Sequence, residues 1–335
     1  MITRRGFLRG SAMAAGTLAM ERVSFARNEQ NQTPAPQLAA PNQGATTPAP
    51  AQQSNLLQTM RAAASTAPIQ STKVTDTIFL LQGVGGNMVA QIGPDGRLLI
   101  DSSMATASHT LLQVLGKLGA KPLRMLINTC WLFDHTDGNA ALYEAGAFII
   151  AQENTRLRLS TPQKIPLLNL SLNPAPNEAL PQLTFVDSDK LYFDNDELDL
   201  IHTPNAHTDS DIFVHFVNAN VIHTGDLYYN GSYPLIYGNS GGTINGLIRG
   251  VDQVLEIADD KTKIVPGHGA LGNKGTLQKY RDMISTVANR IEKQKIAGQS
   301  LEQVVAGKPT ADLDAAWGHG SITPDLFVTS IYNTL

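Results

Sequence analysis

The stretch 126–139, Leu-Ile-Asn-Thr-Cys-Trp-Leu-Phe-Asp-His-Thr-Asp-Gly-Asn, constrains this chain more than any other. The apolar run 125–127 reads as a buried strand. It breaks at Asn128 and Thr129 into a polar loop, and Gly138 then opens a helical stretch. The loop is rich in metal-ligating types: Asp134 offers a carboxylate, His135 an imidazole and Cys130 a thiolate, whereas Leu132 carries no donor atom. An isolated Asp-His pair is ordinary on a surface loop, so its meaning depends on what the rest of the chain brings to it.

The N-terminus reads Thr3-Arg4-Arg5-Gly6-Phe7-Leu8-Arg9, a twin-arginine pattern, followed by the small and apolar run 11–20. Ser24-Phe25-Ala26 offers a small-x-small cleavage site, and the apolar run is too short to remain as a permanent span. Residues 1–26 are therefore expected to be a signal read by the twin-arginine export machinery, placing the protein in the periplasm or outside a bacterial cell. That route carries folded proteins, so a metal could be loaded before transport. Residues 27–58 are Gln, Asn, Pro, Ala and Thr with almost no branched apolar residues, too little to offset ordering entropy. A disordered linker is expected over 27–71 and one folded domain over 72–335.

Hydrophobic residues make up 42% of the 335, enough for a sizeable core. A net charge of -4 and a pI near 6.0 give no basic footprint for nucleic acid. The single cysteine excludes an internal disulfide.

Within the folded part, 77–81, 88–92 and 97–100 read as strands, with turns at 83–87 and 93–96. The glycine cluster 83–87 has strands on both sides, so it reads as a hairpin and not as a phosphate cradle. A helix over 105–118 presents Leu111, Leu112, Leu115 and Leu118 on one face. After the central loop come a helix over 139–145, a strand over 148–151, a helix over 153–159 and an irregular or flap-like segment over 161–181. Strands resume at 183–186, 190–193, 197–201, 211–217 and 221–223. Residues 228–242 read as a loop at the mouth of the site, 244–258 as an amphipathic helix and 274–297 as a long closing helix.

Three further motifs follow the central loop in order: His207-Thr208 with Asp211, Thr224-Gly225-Asp226, and Pro266-Gly267-His268-Gly269. In the last, glycine on either side lets the backbone turn sharply and bring the imidazole inward. His202, His223, His109, His215 and His319 read as packed or structural.

Together with the central loop, these motifs resemble the metallo-β-lactamase superfamily, whose loop pattern is Asn-Thr-His-x-His-x-Asp-His-x-x-Gly-Asn. The resemblance covers about residues 76–335 and departs at the two alternating His positions, here Cys130 and Leu132. It implies an α/β fold, the αββα sandwich of two mixed sheets with outer helices. It also implies metal ligation by Asp134, His135, His207, Asp226 and His268, with Cys130 a further donor, and an Asp at position 101 shaping the site floor. One zinc ion is expected, on Asp134, His135 and His268 with Asp226 beside them; iron is the alternative metal.

The implied activity is that of an exported hydrolase acting on a small-molecule ester, lactone, thioester or amide. Its nucleophile would be a metal-bound hydroxide, with Asp134 orienting the water or taking its proton. A second reading, prompted by the lost ligands, is a pseudoenzyme or binding protein with a vestigial metal. A third follows the superfamily's persulfide dioxygenases, with iron at Cys130, His207 and Asp226.

Overall fold

The computed structural model describes residues 55–335, so the twin-arginine segment and the linker up to residue 54 lie outside the described residues. The first half of the domain builds a seven-stranded sheet in chain order: Gln70–Lys73, Ile78–Gln82, Met88–Gly93, Gly96–Ile100, Leu123–Asn128, Phe148–Gln152 and Leu183–Phe185. The first four strands are antiparallel and the rest parallel, the change coming where the helix Ser108–Leu118 crosses back over the sheet. The second half builds a six-stranded sheet from Ser188–Phe193, Asp196–His202, Ile212–Phe216, Val221–His223, Lys263–Val265 and Gly272–Asn273. Its one parallel pair joins Val221–His223 to Lys263–Val265 around the helix Ile244–Ile257.

Side-chain alternation explains why the two sheets stack. Ile78, Leu80, Val89, Leu98, Ile100 and Ile127 from the first sheet share one apolar layer with Leu198, Leu200, Ile212, Val214, Phe216, Val221 and Val265 from the second. The residues between them in sequence point the other way. Leu81, Met88, Ala90, Leu99 and Leu126 meet Leu111 and Leu115 of a covering helix. Phe213, Ile222 and Ile264 meet Leu247, Val251, Tyr280 and Ile284 of the helices Ile244–Ile257 and Lys274–Ile296. Each fully buried Leu, Ile or Val contributes roughly 1.5–3 kcal/mol of transfer free energy. A sheet apolar on both faces is stable only when both are covered, which gives the layer order helix, sheet, sheet, helix. The αββα expectation is met.

The folded part begins earlier than the composition suggested. Residues 55–71, assigned above to the linker, include the helix Asn55–Ala64 and the start of strand Gln70–Lys73. Leu57 and Ala64 are buried in the layer under the first sheet's helices. Arg61 reaches Asp137 through both its Nε (2.9 Å) and Nη2 (2.5 Å), and Asp137 also accepts from the Ala105 backbone N–H. Leu57, Arg61 and Ala64 recur at helical spacing, and that periodicity outweighs the surrounding polar composition. The segment 161–181 is likewise more ordered than expected, with a short pair Gln163–Ile165 and Leu170–Leu172.

Candidate metal centre

The parallel strands Gly96–Ile100, Leu123–Asn128, Val221–His223 and Lys263–Val265 each lead at their C-terminal ends into residues of the candidate site. Strand Gly96–Ile100 ends in Asp101, whose φ of 64° turns the chain sharply. Strand Leu123–Asn128 runs into Thr129 and Cys130 and then into the single turn Phe133–Thr136, which carries Asp134 and His135. From the other sheet, Val221–His223 leads to Asp226 and Lys263–Val265 to His268.

His135 is the centre of this cluster and is fully buried. Its Nδ1 lies 2.8 Å from Asp101 Oδ2, and Asp101 accepts in turn from the Thr129 backbone N–H (2.8 Å) and hydroxyl (2.6 Å). A carboxylate on Nδ1 fixes the ring so that Nε2 presents its lone pair to the site. That Nε2 lies 3.1 Å from Asp226 Oδ1 and 3.9 Å from Asp134 Oδ2. His268 Nε2 lies 3.3 Å from Asp226 Oδ1 and 3.4 Å from Asp134 Oδ2. Asp134, His135 and His268 bring one donor atom each within 4.8 Å of one another, and so do Cys130, His135 and Asp226.

His207 joins neither set. Its Nε2 approaches the far oxygen of Asp226, Oδ2, at 3.4 Å, and the Tyr229 hydroxyl donates to that same oxygen at 3.1 Å. The ring of Tyr229 stacks on His268 at 4.6 Å, and Tyr237 packs edge-on to His207 at 4.9 Å. Leu132 is buried and belongs to the apolar cluster on the helix-covered face of the first sheet. Among the described residues, Cys130, His207 and Asp226 do not come within 4.8 Å of one another as a three-donor set.

The donors fit a divalent cation. His135 Nε2 and Asp226 Oδ1 are buried 3.1 Å apart, and neither makes a hydrogen bond of good geometry, so a cation between them would satisfy both. The backbone is cut away around them: a Cβ at Gly86 would sit 2.7 Å from His135 Nε2, and one at Gly267 would sit 2.2 Å from Asp226 Oδ1. Electrostatics agree. Burial alone would push Asp226 upward, yet His135, His207 and His268 hold it well below the usual carboxylate range. Burial lowers His268, but Asp226 and Asp134 raise it further, to about 9. Without a metal this cluster is held together by protons, which is the field a cation would exploit.

Several members of the site were not legible as such. The hairpin turn 83–87, read only as a turn, donates from Gly86 to the Asp134 carbonyl and from Asn87 to the Gly267 carbonyl, tying both halves of the site. His223 is packed, as expected, but beside the site: its Nε2 lies 3.6 Å from Asp101 Oδ2 while its Nδ1 meets the Val265 carbonyl. Tyr229 and Tyr237, expected in a loop at the mouth, are buried against the imidazoles.

Residues 81–268 match the metallo-beta-lactamase superfamily, and the chain belongs to it. It is 27% identical over 208 residues to a probable metallo-hydrolase of Methanocaldococcus jannaschii, covering 59% of this chain and 95% of that protein. In fold it is similar to a metallo-beta-lactamase from Pontibacter korlensis, with a TM-score of 0.55 and 16% identity over 65% of this chain and 99% of that one. It is similar also to the inverting sec-alkylsulfatase Pisa1 from Pseudomonas sp., with a TM-score of 0.61 and 18% identity over 82% of this chain and 51% of that one.

Proposed function

We propose that this protein is an exported, single-metal hydrolase that cleaves an ester, lactone, thioester or amide. The observation that carries the reading is the convergence of Asp134, His135 and His268 beside Asp226, with His135 Nε2 buried, unpartnered and oriented by Asp101. Zinc suits this nitrogen and oxygen donor set. A divalent ion held there by these residues would supply a Lewis acid for the carbonyl oxygen and would lower the pKa of water toward roughly 7.

The chain's own groups divide the remaining work. Asp134 and His268 have side chains 13% and 25% exposed, whereas those of His135 and Asp226 are fully buried, so substrate meets the first two. Asp134 lies at that open side, where its carboxylate orients the attacking water and accepts its proton. Tyr229 donates to Asp226 and stacks on His268, holding both in place and keeping water from the inner side of the site.

Removing His268 leaves the Asp134 set with two donors. His268→Ala is expected to lose at least about 100-fold in Mn²⁺ affinity, beyond the effect of a lost outer partner, and to lose hydrolysis in a screen of ester, lactone and β-lactam substrates. Chelation of the parent should abolish the same activity. Parent protein that turns over none of these, with metal bound, would favour a binding protein built on the hydrolase fold.

Export rests on the Arg4-Arg5 pair and the apolar run behind it. Changing both arginines to Lys should strand precursor in the cytoplasm when cell fractions are blotted. Unaltered periplasmic delivery would refute the assignment.

A further inference from the structure

The two donor sets at the strand ends overlap in one atom. His135 can offer only Nε2, because Nδ1 is committed to Asp101, and an imidazole nitrogen has one lone pair for one ion. Asp134 and His268 close one set around that nitrogen, and the Cys130 sulfur and Asp226 close the other, with Asp226 Oδ1 also 3.3 Å from His268 Nε2. Asp226 has one oxygen to give: Oδ2 is capped by the Tyr229 hydroxyl and faced by His207, and Oδ1 is buried without a hydrogen-bond partner. Cys130 is the only cysteine of the chain and is fully buried at the start of the metal loop.

We infer that the chain holds two mutually exclusive metal positions sharing His135: an outer one of Asp134, His135 and His268 for hard and borderline ions, and an inner one of Cys130, His135 and Asp226 for thiophilic ions. This rests on the outer site proposed above and adds a second, inner occupant.

The donor chemistry separates the two. Carboxylate and imidazole suit Mn²⁺ and Zn²⁺, whereas a thiolate selects Cd²⁺ and other soft ions. At the inner position the Cys130 thiol gives up its proton to solvent as the sulfur–metal bond forms. Thiolate and carboxylate then balance the ion's two charges, so the ion enters a buried position as a neutral complex. The outer donor set has no thiolate, and the side chains of Asp134 and His268 are partly exposed, so that position stays in contact with water. A soft ion would thus be drawn inward and take His135 away from the outer site, so that the metal bound decides whether the hydrolytic position is complete.

The test is titration of metal-free full-length protein with Cd²⁺ and Mn²⁺ separately and then in competition. Thiolate-to-Cd²⁺ charge transfer in the ultraviolet reads the inner position, and loss of the free Mn²⁺ resonance signal reads the outer one. The parent should show the thiolate band saturating at one Cd²⁺ per chain, and each Cd²⁺ should expel one Mn²⁺. Cys130→Ser, close in volume, should lose the band and keep Mn²⁺; His268→Ala should keep the band and lose Mn²⁺. Absence of the band in the parent overturns the inner position, and Cd²⁺ adding beside Mn²⁺ overturns the sharing of His135. Failure of Mn²⁺ to bind while the Cd²⁺ band appears would instead defeat the outer site and with it the proposed function.

Discussion

A His135→Ala chain is expected to bind neither Mn²⁺ nor Cd²⁺ and to melt well below the parent. Both three-donor sets include this imidazole, so neither keeps more than two donors. The ring is also the partner of Asp101, whose carboxylate is wholly buried and would keep only the two Thr129 donors and a distant His223. Breaking a buried pair by deleting one member costs roughly 3–5 kcal/mol, because the other charge is left behind. Asp101→Asn separates the two roles: it keeps the imidazole in the site but loses its orientation, and a second-layer loss of that kind lowers metal affinity about 10–100-fold. Isothermal titration and thermal melts of both variants check this, and undiminished metal binding by His135→Ala would place the ion elsewhere.

The second large effect comes from a single added methyl group. Gly267→Ala would put its Cβ 2.2 Å from Asp226 Oδ1 and 2.7 Å from the Gly225 carbonyl carbon and oxygen, and part of that obstacle is backbone that cannot swing aside. Overpacking a rigid site typically costs about 1–3 kcal/mol, and here the displaced atom is a proposed ligand. Stability and metal content should fall together. Gly116→Ala is the control: it lies in the helix Ser108–Leu118 with nothing within 4 Å of its added carbon. There the same chemical change should stabilise by about 0.5–1 kcal/mol through helix propensity. Equal melting temperatures for Gly267→Ala and the parent would mean that the site edge is soft.

The contrast between these two glycines marks what can be read from a sequence and what cannot. Alternating apolar residues at 78–81, 98–100 and 126–127 announced strands buried on both faces, and their order gave the sandwich. The convergence of the candidate donors Asp134, His135, Asp226 and His268 was legible because each sits in a short local pattern after a strand end. Gly86 and Gly267 read only as turn residues, since the atoms they make room for are 49 and 41 positions away in the chain. The same is true of Tyr229, whose contact with His268 spans the connection between two strands, and of His223, whose strand alternation directs it into the inter-sheet layer toward Asp101. The helix Asn55–Ala64 was missed for another reason: a polar average hid an apolar stripe that becomes meaningful only against the surface it covers.

Leu132 carries the same lesson into the site. Its place in the motif suggested a vanished ligand, and it is buried as a member of the large apolar cluster under the first sheet's helices. An imidazole restored at 132 would therefore have to displace packed hydrophobic contacts, at a cost on the order of 2 kcal/mol or more. With the Tyr229 hydroxyl donating to Asp226 Oδ2, that oxygen is already engaged.

The central claim is that this site holds one ion, and metal stoichiometry tests it most directly. Native mass spectrometry of the full chain at saturating zinc should give one ion per chain, reduced to none in His135→Ala. Two ions on the parent, or none, would contradict the account.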